Sequence, residues 1–163
     1  MLQRKTLSKD QALQKARHYC GYQERSHAEV KEKLYSLGLH KNEVEESLAT
    51  LIEENYLNEE RYAIQFAGGK FRIKQWGRVK IKYELKQKRI SDYCIRKAIE
   101  QIDEEEYLKT LEKLARKKWT TIKGIGVNQF AKMSKTTNYL LQHGYESGLV
   151  KQIIQKLKTT NEN

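Results

Sequence analysis

The strongest constraint on this chain is that it repeats. Val30, Leu34, Leu39, Val44, Leu48 and Leu51 form an apolar set that recurs 51 residues on as Ile81, Leu85, Ile90, Ile95, Ile99 and Ile102. It recurs again 106 residues on as Thr136, Leu140, Tyr145, Val150, Ile154 and Leu157, with Thr136 the one polar member. A register held through a turn marks a supersecondary unit that buries its apolar face partly by stacking on its neighbours. The 163 residues also include no proline, so the main helix breaker is missing throughout.

The first copy shows what the unit is. Ser26-His27-Ala28-Glu29 has the spacing of a capping box, with each end of the pair satisfying an amide of the other. "SHAEVKEKLYSLG" then runs as a helix to Gly38, a residue suited to a left-handed stop. "NEVEESLATLIEEN" follows, with Val44, Leu48, Leu51 and Ile52 on one face. "KDQALQKARHYCGY" precedes them, with Ala12, Leu13, Ala16, Tyr19 and Cys20 at helical spacing. Three helices per copy give an all-α fold, an elongated tandem array of three helix-turn-helix-like units. Helices are expected near 8–22, 26–37, 41–56, 58–73, 77–88, 91–102, 103–119, 127–143 and 146–158. The units are expected at 1–57, 58–102 and 103–158, with 159–163 a flexible tail. Ser91 suits the start of a helix, and the acids Asp103 to Glu106 suit the positive end of the next.

One stretch resists this reading. In "GRVKIKYELKQKRIS", residues 77–91, apolar and charged residues alternate, which is the period of a half-buried strand. The repeat register places it opposite an unambiguous helix, so helix is the reading adopted. At 100° per residue, the pair Ile81 and Leu85 then lies roughly 160° from Val79 and Tyr83. Such a helix is apolar on two sides, as a middle repeat buried between two neighbours would be.

Charge is unevenly spread along the chain. Residues 1–57 carry nine Lys/Arg and nine Asp/Glu, residues 58–102 carry twelve and five, and residues 103–163 carry eleven and seven. A basic middle unit suggests a polyanionic partner. Within 77–91, Glu84 has Lys80 and Lys88 four residues to either side, within reach for ion pairs. Arg78, Lys82, Lys86 and Arg89 fall on a separate strip, and Lys70, Arg72 and Lys74 precede them. These seven are the candidate polyanion-binding residues. Phe71 and Trp76 lie among them, either packing between helices or offering rings for bases to stack on. Lys123, Gly124 and Gly126, in "KGIGVNQ", are candidates for secondary phosphate contact by loop amides.

Other classes lose ground. The four histidines show no paired metal-ligand spacing, and no nucleophile-elbow or Walker motif is present, so no enzyme, metal or cofactor is expected. Cys20 and Cys94 form no close pair and read as small buried hydrophobes in a reducing setting. No run approaches the ~18 apolar residues of a membrane helix, and the start "MLQRKTLSKDQAL" lacks an apolar signal core. A cytoplasmic protein without membrane contact is expected. A sequence-specific repressor shares the architecture. Its recognition helix would carry Glu43, Glu45, Glu46, Glu53 and Glu54 against Lys41, which repels phosphates. A scaffold that binds only protein would not need the basic strip.

"YLNEERYA", residues 56–63, resembles a signature stretch of the RecX family of recombination regulators. "KQWGRVKIKYELKQKRIS", residues 74–91, is similar to a second, matching at Lys74, Gly77, Ile81, Glu84, Leu85, Lys88, Ile90 and Ser91. "RSHAEVKEKLYSLGL", residues 25–39, resembles the family's first-unit helix, whereas the third unit matches only through the repeat register. The resemblance implies a regulator that binds the RecA recombinase filament on DNA and usually restrains it; a monomer that inhibits RecA's ATP hydrolysis and strand exchange is expected. Weak, sequence-independent contact with single- and double-stranded DNA would accompany this. One departure stands out: the family commonly has Gly after the lysine of the second signature, where this chain has Arg89. Gly38 and Gly144 hold the equivalent place in the other units, so either Arg89 shares their left-handed turn or the turn is built differently here.

Overall fold

The computed structural model describes residues 7–124 and 126–161. Among them are nine helices and no strand: α1 Lys9–Tyr22, α2 His27–Ser36, α3 Lys41–Glu53, α4 Glu59–Gly69, α5 Arg78–Gln87, α6 Asp92–Glu100, α7 Glu104–Thr121, α8 Gln129–Gln142 and α9 Ser147–Asn161. They fall into three triplets, as the repeat requires. The alternating stretch Val79–Leu85 lies wholly inside α5. α4 continues through a π-helical turn, Lys70–Lys74, that ends at Gln75 with φ 58°. α9 runs on to Asn161, so residues 159–161 of the expected tail are helical, while 162–163 lie outside the described residues.

Helix starts follow from short polar side chains. Ser8, Ser26, Asn58, Ser91, Asp103 and Asn128 each accept the amide of the residue three further on, satisfying one of the four donors a helix start leaves unpaired. The box expected at Ser26 is half made. Ser26 Oγ takes the Glu29 amide at 3.1 Å, but the Glu29 carboxylate accepts from the Tyr62 hydroxyl at 3.2 Å and faces Arg25.

The middle helix of every unit stops in one way. Gly38, Arg89 and Gly144 have φ of 94°, 61° and 93°. In each case the next residue donates back across the turn: Leu39 to Leu34 O, Ile90 to Leu85 O and Tyr145 to Leu140 O, at 3.4, 3.1 and 3.2 Å. This is the closure that a left-handed residue permits. Arg89 adopts it although it carries a Cβ, at a strain of about 1 kcal/mol or more.

All eighteen register positions face inward; Leu48, Ile99 and Ile102 are half-buried and the others are buried. Ile52, expected on the inner face of α3, is exposed. Cys20 and Cys94 are buried free thiols. The cores are not three equal ones. Unit one has its own, around Val30, Leu34, Val44, Leu51 and Leu57. Units two and three share a single larger core that includes Ile81 and Leu85 together with Tyr107, Tyr145 and Val150. The second apolar side expected of α5 is not buried: Val79 is 52% and Tyr83 60% exposed. Unit three joins the backbone of α5 at its start, through Gly77 and Val79, and among the described residues nothing packs over the side that carries Val79 and Tyr83.

Candidate nucleic-acid interface

The geometry of the basic unit is set where α5 begins. Gly77, Arg78 and Val79 present amides that no side chain of their own helix caps. Unit three takes all three: Gly77 donates to His143 O at 2.7 Å, Val79 to Gly144 O at 2.9 Å, and Arg78 to the Tyr107 hydroxyl at 3.0 Å. The backbones approach so closely that a Cβ on Gly77 would fall inside Gly144, and one on Gly144 inside Lys80. Tyr145 closes the joint by donating its hydroxyl to Gln75 O at 2.8 Å. The Tyr107 hydroxyl donates in turn to Glu146. Burial, with that acceptor second, pushes the Tyr107 phenol well above its ordinary range; burial does the same for Tyr145.

Arg78 belongs to this joint. Its guanidinium lies 3.8 Å from the Tyr107 ring centroid, 2.7 Å from Glu104 and 3.6 Å from Glu146, and its side chain is 20% exposed. No acid of α5 faces the strip, but acids of unit three do. Lys82 and Lys86 lie beside it in a groove of about 870 Å³ between α5 and α6, whose walls include Val79, Tyr83 and Arg96. Both lysines are exposed, and Lys86 has only a 4.0 Å contact with exposed Asp92. Arg89 is exposed in the turn beyond. Lys74 is exposed at the end of the π turn, and Arg72 opens onto a second groove with Asp103 and Glu106. The two grooves share Ile102 and Asp103.

Lys70 lies elsewhere, with residues that helical spacing alone assigned to Glu84. Lys70 stands 5.4 Å from the Phe66 ring centroid and 5.0 Å from that of Trp76. Lys80 is 4.6 Å from Trp76, and Lys88 is 5.6 Å from Phe66. The expected ion pairs of Glu84 with Lys80 and Lys88 are absent among the described residues, because the rings hold both ammonium groups instead. α5 therefore carries lysines on both flanks of its buried face. Phe71, a candidate stacking ring by sequence, is 5% exposed and packs on Tyr107 at 5.7 Å. A cue is present in sequence, since Phe66, Lys70 and Trp76 fall one to two turns apart, but the π turn that folds Trp76 back onto Lys70 has no such cue.

Lys123, Gly124 and Gly126 come together in the loop between α7 and α8, both glycines with positive φ, and Ile125 lies outside the described residues. The signature stretch 56–63 is a joint rather than a site. Leu57 is buried, Asn58 caps α4, and Glu59 accepts the Ser91 amide at 2.9 Å. Arg61 binds Glu24 at 2.5 Å and the carbonyls of Asn55 and Tyr56, tying unit one to unit two. Glu46 of α3 and Glu54 just past its end are taken by Lys9 and Arg17 of α1. Among the described residues no three His, Cys, Asp or Glu side chains converge as a metal site, and no helix is long and apolar enough to cross a membrane.

This architecture defines an all-helical tandem-repeat protein built from helix-turn-helix-like units, with the largest excess of Lys/Arg over Asp/Glu in the middle one. The family model for the second three-helix domain of RecX matches residues 58–99, and that for the third matches 104–154. Together these cover more than half of the chain, which belongs to the RecX family of regulatory proteins. The third unit, tied to the family in sequence only by register, is thus matched directly. A regulatory protein RecX of Clostridium perfringens is 32% identical over 134 residues, covering 82% of this chain and 62% of the relative. One from Prosthecochloris aestuarii is 29% identical over 148 residues, covering 91% and 94%. The crystal structure of RecX from Lactobacillus salivarius superposes with a TM-score of 0.83 at 25% identity, over 93% of this chain and 97% of that one. The chain spans under two thirds of the length of the Clostridium relative.

Proposed function

We propose that this protein binds the RecA–DNA nucleoprotein filament and inhibits RecA's ATP hydrolysis and strand exchange, acting as a cytoplasmic monomer without a cofactor. The observation that carries the reading is the exposed, weakly paired set Arg72, Lys74, Lys82, Lys86 and Arg89 on a unit rigidly fused to its neighbour. Five such cations support weak, sequence-tolerant DNA contact, with log K falling against log salt at about −3.5 to −4.5. The amides around Gly124 and Gly126, with Lys123, add a secondary phosphate contact. Contacts that are weak singly gain effective concentration when one stiff body presents them together. The neutral first unit suits contact with protein, and the basic middle unit suits phosphate or acidic filament surface.

The test is RecA ATPase on single-stranded DNA. The wild-type protein should inhibit it, and Lys82→Glu with Lys86→Glu should weaken inhibition at least several-fold while helical circular dichroism is kept. Arg78 is left intact, because changing it would open the joint with unit three. Unchanged potency of the double variant would remove the strip from the mechanism. No effect of the wild-type protein on RecA would remove the function.

A further inference from the structure

We propose that the Phe66–Trp76 face of unit two is a single-stranded nucleic-acid site, distinct from the Lys82–Lys86 groove. It rests on reading the chain as one that contacts nucleic acid, but not on any action upon RecA. Lys70, Lys80 and Lys88 converge on two half-buried rings, and none of the three has an ion-pair partner among the described residues. Ring contacts restrict where the ammonium groups sit without neutralising them, so they stay available to phosphate. Cations along a backbone path beside aromatic surface are what an unpaired strand recognises, since its bases are free to leave the solvent for a ring. A duplex has its bases inside and gains nothing from the rings.

The carboxylates nearby do not cancel this charge. Glu84 shares the flank with Lys80 and Lys88 but pairs with neither. Glu24 and Glu29 border the small groove beside Phe66, Lys70 and Lys88, and they are held by Arg61 and by Tyr62 and Arg25. The face also has a continuation. Gly77, next to Trp76, binds His143 O, the His143 ring lies 4.4 Å from that of Tyr139, and Lys118 stands 5.0 Å over Tyr139. A strand longer than the unit-two site would run this way onto unit three.

The chain has two tryptophans, Trp76 and Trp119, so Trp119→Phe leaves Trp76 as sole fluorescent reporter. Oligothymidylate should quench that fluorescence. Lys70→Ala with Lys80→Ala and Lys88→Ala should weaken binding about tenfold or more and flatten the salt slope by about 2. Lys31→Ala with Lys41→Ala, both exposed on unit one, should leave binding and quenching unchanged. Should Trp119→Phe lose its helical circular dichroism, Trp76→Phe replaces it; quenching should then vanish while anisotropy still reads weakened binding. Equal quenching by inorganic polyphosphate would overturn base contact. Binding without Trp76 quenching, or unchanged affinity of the triple-lysine variant, would overturn the site. No step uses RecA, so this outcome and that of the ATPase test are separate.

Discussion

Thr136 occupies the place that Val30 and Ile81 hold in the other units, fully buried and with its hydroxyl unpartnered. A buried hydroxyl without an acceptor carries its desolvation cost uncompensated. Valine keeps the shape and removes that cost, so Thr136→Val should stabilise the protein by about 1 kcal/mol, raising Tm by about 2–4 °C. A lowered Tm in a thermal melt would show that an acceptor lies there. Arg89 is the converse case, a side chain kept where glycine would fit the backbone better. Arg89→Gly should relieve about 1 kcal/mol of strain, and flatten the salt dependence of DNA binding by about 0.7–0.9 if Arg89 meets one phosphate. Loss of stability would mean that the guanidinium makes a compensating contact. Both oddities are legible in the sequence itself, because aligning three copies shows where one departs.

The helices are equally legible there, since caps, glycine stops and the inward register are local properties. What α5 does with its ends is not, because its first amides are satisfied by residues 29 to 66 positions away. Tyr107 is the clearest instance: its hydroxyl accepts from Arg78 and donates to Glu146, in a joint that no spacing announces. Tyr107→Phe leaves one buried amide and one carboxylate short of a partner, and should cost about 1–3 kcal/mol, read as a fall in denaturation midpoint with helical content kept at low temperature. Buried phenols also set a pH limit. The folded phenols of Tyr107, Tyr145 and Tyr62 are held above their ordinary value, chiefly by burial. The folded state therefore keeps protons that the unfolded chain releases near pH 10, and stability falls as pH rises past that point. Ionisation of these three, followed by phenolate absorbance, should coincide with loss of helical circular dichroism.

Three similar copies suggest three similar units, but the molecule is one separate unit joined to a fused pair. The difference lies in Gly77 and Gly144, where unit two and unit three touch backbone to backbone, against the polar joint at Arg61 that links unit one. Side chains at that joint are partly exposed, 38% for Arg61 and 23% for Glu24, so the ion pair itself adds little stability. Its effect is to set direction: Arg61 spans Glu24 on unit one and the chain reversal at Asn55 and Tyr56 that leads into α4. Arg61→Ala should leave both cores intact, with Tm lowered by only about 2–4 °C, and should leave oligonucleotide binding by units two and three unchanged. If inhibition of RecA depends on unit one being held at a fixed angle to the basic pair, the variant loses effective concentration at one contact, and the protein needed for half-inhibition of RecA ATPase should rise several-fold. Wild-type potency in Arg61→Ala would show that unit one acts without a fixed orientation, or not at all. Lost oligonucleotide binding would instead show that the joint holds the basic unit itself in shape.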